Sequence, residues 1–235
     1  MPIRLDKFIC ENTELTRKQA KVRLHRGEVT VDGEVVKNSA LKIAETADVC
    51  IDGESISLIG ARYIMLYKPA EFICSNIDEV YPSVLNILID DGVSKIDKLH
   101  TAGRLDADTT GLVLITDDGQ WSHNITSPNK DCQKRYRVET EKVITDSMIE
   151  QLEQGVQLHN EDGLTKPATV EKIDDYELLL TISEGKYHQV KRMLAAVGNR
   201  VESLHREQIG QVELDQDLEI GEWRYLTDDE IACFK

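Results

Sequence analysis

Apolar positions recur with a helical period in some stretches of this chain and alternate in others, and the switches between the two mark its elements. Leu5, Phe8 and Ile9 lie at helical spacing and predict a short amphipathic helix. Thr16 and Gln19 form a capping-box pattern that opens a second helix, ending near Gly27. Within it Ala20 and Leu24 can face a core, while Arg17, Lys18, Lys21 and His25 are related by three or four residues and share another face. Val29-Thr30-Val31, Asp32-Gly33 and Glu34-Val35-Val36 then read as a hairpin around an Asp-Gly turn. The stretch through Gly60-Ala61 holds Gly53, Ser55 and Ser57 but no long flexible linker. The change of pattern divides the chain into 1–59 and 60–235.

Beyond that boundary, Arg62 through Tyr67 reads as a buried strand stopped by Lys68-Pro69, and Leu112 through Thr116 as another, closed by the turn formers Asp117-Asp118-Gly119. Arg135 through Thr140 alternates like a half-buried strand, and Glu177 through Ile182 forms a further strand. Met148, Ile149 and Leu152 predict a helix ended at Gly155, and Val190, Met193 and Leu194 one ended at Gly198. Thr227 with Glu230 caps a last short helix. Strands outnumber helices without βαβ alternation, so the expected class is α+β around a mixed sheet.

Composition changes this picture little. Across 235 residues, 40% are hydrophobic and 30% charged, as in an ordinary soluble protein. No apolar run approaches the roughly 18 residues of a membrane span, and charges between Met1 and Lys7 occupy the place of a signal peptide's apolar stretch. Cys10, Cys50, Cys74, Cys132 and Cys233 are odd in number and form no Cys-x-x-Cys pair, which reads as reduced thiols. A cytoplasmic location is expected, and no protein-held metal. Charge is more informative. With 28 basic and 43 acidic residues the net charge is −15, which argues against indiscriminate binding to a polyanion. Exposed charges more than about 8–10 Å apart are largely screened, so local clusters matter more. Residues 15–27 carry Arg17, Lys18, Lys21, Arg23 and Arg26 and no acid, whereas residues 213–230 hold eight acids against Arg224 alone.

Three stretches carry candidate chemistry. In the first, Gly103 and Gly111 bracket a loop that holds Arg104, Asp106 and Asp108 and feeds a strand. Arg104 beside Asp106 would hold that carboxylate ionised, as a nucleophile must be; an isolated Arg-Leu-Asp would read as a surface turn. In the second, Cys132-Gln133-Lys134-Arg135-Tyr136, an aromatic sits on a strand, which by itself means core packing. In the third, a strand runs through Glu184-Gly185 into a helix beginning near His188, with Lys191 and Arg192 in its first turns. Cations there oppose the helix dipole unless an anion waits nearby, and Asp106 is one candidate.

In order and spacing these stretches resemble the RsuA and RluA groups of pseudouridine synthases. Gly103-Arg104-Leu105-Asp106-x-x-Thr109-x-Gly111-Leu112-x-Leu114 is similar to the family signature, which implies that Asp106 is the catalytic aspartate and leaves Asp108 a loop residue. Lys134-x-Tyr136 resembles the motif whose tyrosine packs on the target base. His188-Gln189-Val190 resembles the motif whose next basic residue pairs with the aspartate; that residue is Lys191, with Arg192 as rival. Leu204-His205-Arg206-x-x-Ile209-Gly210 fits a pattern whose arginine faces RNA. Lys68-Pro69 with Ser75 resembles the opening of the catalytic domain, except that Glu71 stands where family members usually carry glycine. Arg4-Leu5-Asp6-Lys7-Phe8 and Gly27-x-Val29-x-Val31-Asp32-Gly33 resemble the S4 RNA-binding domain, implying that Arg4, Arg17, Lys18 and Lys21 meet phosphates. Asp117 through His123, Gly155 through His159 and Thr165-Lys166-Pro167-Ala168 look like the small-subunit rRNA members.

The resemblance implies an S4-like domain at 1–59 and a catalytic domain with a mixed, mainly antiparallel sheet at 60–235. It implies isomerisation of a uridine in small-subunit (16S) ribosomal RNA, naked or in an assembling subunit, by a monomer that needs no cofactor. Arg104 would fill the space of the flipped base, with Arg192 and Arg206 as further RNA contacts. Whether Asp106 attacks C1′ or C6, or removes the 2′ proton to give a glycal, stays open. Three rivals remain: a sister synthase acting on large-subunit RNA, a non-catalytic S4-type binding protein, and a glycosidase, which would usually need a second matched carboxylate.

Overall fold

A computed structural model describes residues 2–44, 46–56 and 59–235. Met1, from the charged amino terminus, and Ser57, from the connecting stretch, lie outside the described residues. The chain forms two compact units, Met1–Gly60 and Ala61–Lys235. Among the described residues no helix is long and apolar enough to cross a membrane.

In the first unit, helix α1 (Leu5–Asn12) buries Leu5, Phe8 and Ile9, and helix α2 (Arg17–Arg26) buries Ala20 and Leu24. Both halves of the capping box are present: Thr16 Oγ1 accepts from Gln19 N, and the Gln19 side chain accepts from Thr16 N. Gly27 ends α2 with φ +78°, a conformation that glycine enters without a Cβ clash. Strands Val29–Val31 and Glu34–Val35 pair through Asp32 and Gly33, both at positive φ, as the Asp-Gly turn predicts. Val29–Val31 also pairs with Val49–Ile51, and the sheet closes an apolar core with the two helices.

The second unit is α+β. Among the described residues nine strands form one sheet, whose main path runs Thr169–Lys172, Glu177–Ile182, Lys134–Thr140, Val201–Ile209, Thr110–Thr116, Tyr63–Lys68 and Trp223–Tyr225. Its pairings are antiparallel except between Val201–Ile209 and Thr110–Thr116. Helices α3 (Leu85–Asp90), α4 (Gly119–Thr126), α5 (Asp146–Gln154), α6 (Gln189–Ala196) and α7 (Asp228–Ala232) accompany it. Two apolar clusters form the core, one of them including Leu152 of α5 and Val190, Met193 and Leu194 of α6.

Two local expectations are revised, and one strand appears where none was expected. Lys68 does not stop its strand but belongs to it, fully buried; Arg62 instead precedes the strand, held on Asp117 at 2.8 Å. Asp117-Asp118-Gly119 is no mere turn: Asp118 accepts from Gln120 N and Trp121 N and caps α4, which buries Trp121 and Ile125. Val201–Ile209 is a nine-residue strand although its sequence is largely polar. Its charges are matched across the sheet, Glu207 meeting Arg137 at 2.6 Å and Arg135 at 3.4 Å.

Candidate active site

One row of cross-strand partners organises the site. Leu180 is opposite Tyr136, Tyr136 opposite Arg206, Arg206 beside Gly111, and Gly111 opposite Lys68. Residues remote in sequence are thereby placed at one level of the sheet. Gly111 is required there: it has φ +106°, and a Cβ would lie 2.3 Å from the Arg206 carbonyl oxygen.

The loop between Ala102 and Thr110 is fastened to this row from below. Leu105 is buried in the core, so its neighbours Arg104 and Asp106 are turned outward, which explains the Arg-Leu-Asp alternation. Lys68 Nζ donates to the carbonyls of Pro69, Ala107 and Thr109 at 2.8, 3.2 and 2.8 Å. Burial pushes its ammonium down to about 8, with Asp108 and Asp106 among the groups that oppose the fall. Arg206, only 3% exposed, donates from Nε to Leu112 O at 2.9 Å and from Nη1 to Arg104 O at 3.4 Å. Two buried cations thus hold the loop by its carbonyls. Glu71, in the position where glycine is usual, has φ +65° and donates its N–H to Ala107 O at 2.8 Å. The turn is the one glycine would make.

Asp106 is half-buried and faces α6. Lys191 Nζ lies 3.1 Å from Asp106 Oδ2 and 2.6 Å from Asp108 Oδ1, while His188 Nε2 lies 3.3 Å from Asp106 Oδ1. Burial alone would lower the Lys191 ammonium, but hydrogen bonds to Asp108 and Asp106 outweigh it and raise it. Asp108 is held below the ordinary carboxylate range: burial pushes it up, and Lys191 more than reverses that. The unfavourable placement of cations at the start of α6 is answered by these acids. Arg192 turns the other way, to Glu161 at 3.0 Å and to the His159 carbonyl at 2.5 Å. Lys191 is therefore the inward-facing residue. A cavity of about 480 Å³ opens over Asp106, lined also by Arg104, Lys134, Tyr136, His188 and Arg206.

This arrangement, an aspartate paired with a lysine beside a buried tyrosine at an open cavity, can be set beside known proteins. The model of the RNA pseudouridylate synthase family matches residues 62–196. The chain belongs to that family. Two relatives, each called ribosomal small subunit pseudouridine synthase A, are 54% identical over 231 residues. The one from Vibrio vulnificus (strain CMCP6) aligns over 97% of this chain and 98% of its own length, that from Escherichia coli (strain K12) over 98% and 99%. A crystal structure of a pseudouridylate synthase, 46% identical, superposes with a TM-score of 0.71 over 99% of this chain and 100% of that one.

Against the family motifs, the structure places Asp106, Tyr136, Arg104 and Arg206 on one cavity, Asp106, Tyr136, Arg104 and Lys191 on a second, and leaves Arg192 on the flank of α6. Arg104 is exposed, and Asp106 takes its ion pairs from α6 rather than from this neighbour, because Leu105 points the two side chains apart from the core. Arg206 does not offer itself at the surface; its guanidinium lies beneath the cavity, 6.0 Å from the centre of the Tyr136 ring. Sequence reasoning gave His188, Asp108 and Lys68 no contact with Asp106 or its loop. The positive φ of His188 (+47°) ends the preceding loop and turns its ring to Asp106, stacked on Tyr187 at 3.8 Å; nothing in the local pattern signals that.

In the first unit Arg17, Lys18 and Lys21 are exposed and make no salt bridge among the described residues. Arg23 is neutralised by Glu28 at 2.9 Å and Asp52 at 2.8 Å, partners that lie beyond the acid-free window. Arg4 is bound to the buried Asp6 at 2.8 Å, which holds that carboxyl below its ordinary range.

Proposed function

We propose that this protein isomerises a specific uridine of small-subunit ribosomal RNA to pseudouridine, with Asp106 as the essential group. The Asp106–Lys191 pair at 3.1 Å in a cavity shared with Tyr136 carries this reading, and the names of the full-length relatives support the choice of RNA. The uridine leaves its stack, at a cost of a few kcal/mol, and enters the cavity. Tyr136 packs on its ring and Arg104, at the rim, takes the vacated place in the RNA. The C1′–N1 bond breaks with help from Asp106, either by bonding to C1′ or C6 or by removing the 2′ proton. The base turns and C5 bonds to C1′. C5 gives up its proton and N1 gains one, so the reaction balances with no cofactor.

The unit Met1–Gly60 acts as an S4-like docking module, Arg17, Lys18, Lys21 and Arg4 meeting phosphates, and the unit Ala61–Lys235 carries the chemistry. Arg192 adds a phosphate contact beside the site. The protein works in the cytoplasm as a monomer, on ribosomal RNA or an assembling small subunit. Mapping pseudouridines in both ribosomal RNAs from a strain lacking the gene tests this: one site should vanish from the small-subunit RNA and return with the gene. Loss confined to the large-subunit RNA would contradict it.

A further inference from the structure

The floor of the Asp106 cavity holds cations that form no salt bridge to a carboxylate among the described residues. Among the described residues Arg206 hydrogen-bonds only to carbonyls, and its Nη2 is buried with no hydrogen-bond partner. Lys134, two residues before Tyr136, lines the same cavity and gives its Nζ only to the carbonyls of Ile125 and Cys132, at 3.3 and 2.6 Å. Burial pulls the Lys134 ammonium below its usual value, and the charge on Arg206 pushes it the same way. The buried Arg62 of the same unit, by contrast, sits on Asp117 at 2.8 Å.

Burying a cation without its counter-ion costs several kcal/mol. This chain has 43 acidic residues, so carboxylates are not scarce. The acid nearest the chemistry, Asp106, is already engaged by Lys191 and His188. The missing negative charge therefore belongs to something that enters or forms in the cavity. A flipped uridine supplies it when C1′–N1 breaks, because the electron pair goes to N1 and spreads over O2 and O4. C1′ is satisfied by an Asp106 oxygen, or by loss of the 2′ proton to Asp106, until C5 bonds to it. The RNA phosphate is the other source of negative charge. Arg206 is in register with Tyr136, its guanidinium 6.0 Å from the ring centre, and both residues line the cavity that the base would enter.

We propose that Arg206, seconded by Lys134, stabilises the uracil anion released when the glycosidic bond breaks. This rests on the pseudouridine reading above. Preorganised charge facing a developing anion is worth ~10²–10³ in rate per donor.

The test compares the full-length protein with its Arg206→Gln and Lys134→Gln variants in single-turnover reactions. The substrates are small-subunit ribosomal RNA transcribed with uridine or with 5-fluorouridine, whose base leaves as a more stable anion. Loss of the starting nucleoside is followed by mass spectrometry, and RNA affinity by filter binding. Arg206→Gln should slow uridine turnover by ~10²-fold, with a penalty about tenfold smaller on 5-fluorouridine and RNA affinity little changed. Lys134→Gln should show the same selectivity, and decides the matter alone if Arg206→Gln fails to fold. Equal slowing on both RNAs would reduce these cations to loop supports and overturn the proposal. A loss confined to RNA affinity would assign them to phosphate and overturn it too. A wild-type protein that converts neither RNA would instead overturn the pseudouridine reading itself.

Discussion

At the scale of single residues, the site is a set of charges whose partners decide what each can do. Asp106, Tyr136 and the inward lysine were legible because each sits in a motif of fixed spacing; the choice between Lys191 and Arg192 was not, because helix rotation decides it. The burial of Lys68 was not legible: a lysine before a proline reads as a strand end, yet it is fully buried on three carbonyls. Its proton gives a signed prediction. Between pH of about 8 and 10.5 the folded chain releases that proton while the unfolded chain keeps it, so Lys68 makes stability rise with pH across this window. Urea titrations should show wild type gaining on Lys68→Met there, and parallel pH profiles would contradict it. Glu71 makes a second case. Its φ of +65° costs a side chain about 1 kcal/mol, so Glu71→Gly should stabilise the protein by up to that amount. A destabilised variant in urea unfolding would show that the carboxylate has a role of its own.

At the scale of elements, helices with caps and strands with apolar runs were readable, while elements stabilised by partners were not. Helix α4 hides behind Asp117-Asp118-Gly119 because a capping aspartate and a turn aspartate look alike in sequence. The strand Val201–Ile209 hides because its polar residues find their partners in space, Glu207 on Arg137 of the neighbouring strand and Arg206 on the carbonyls of Leu112 and Arg104. Helix α2 was legible in full, apart from the pairing of Arg23 with Glu28 and Asp52. Its remaining exposed cations set a prediction for RNA docking. Reversing Arg17, Lys18 and Lys21 should weaken RNA binding and flatten the plot of log affinity against log salt by about 2 units. An unchanged slope, measured by filter binding across salt concentrations, would remove α2 from the docking surface.

At the scale of the whole molecule, a net charge of −15 is compatible with an RNA substrate because screening makes local clusters count for more than the sum, and some acids are held by their own cations. Asp215 and Glu230 are bound to Arg224 at 2.6 and 2.8 Å, and Glu161 is drawn below its usual range by Arg192 and Lys186, whereas the exposed basic face of α2 keeps its charge. The α+β class was legible from the excess of strands. The strand order was not, since the row Leu180, Tyr136, Arg206, Gly111 and Lys68 joins stretches that no local pattern connects. That row draws three motifs to one place, and on the proposed reading the chemistry there depends on one carboxylate. The decisive measurement is pseudouridine formation by Asp106→Asn on small-subunit ribosomal RNA, read by carbodiimide modification and primer extension, with RNA affinity measured alongside. The account predicts no pseudouridine and nearly unchanged affinity; pseudouridine formed at the wild-type rate would contradict it.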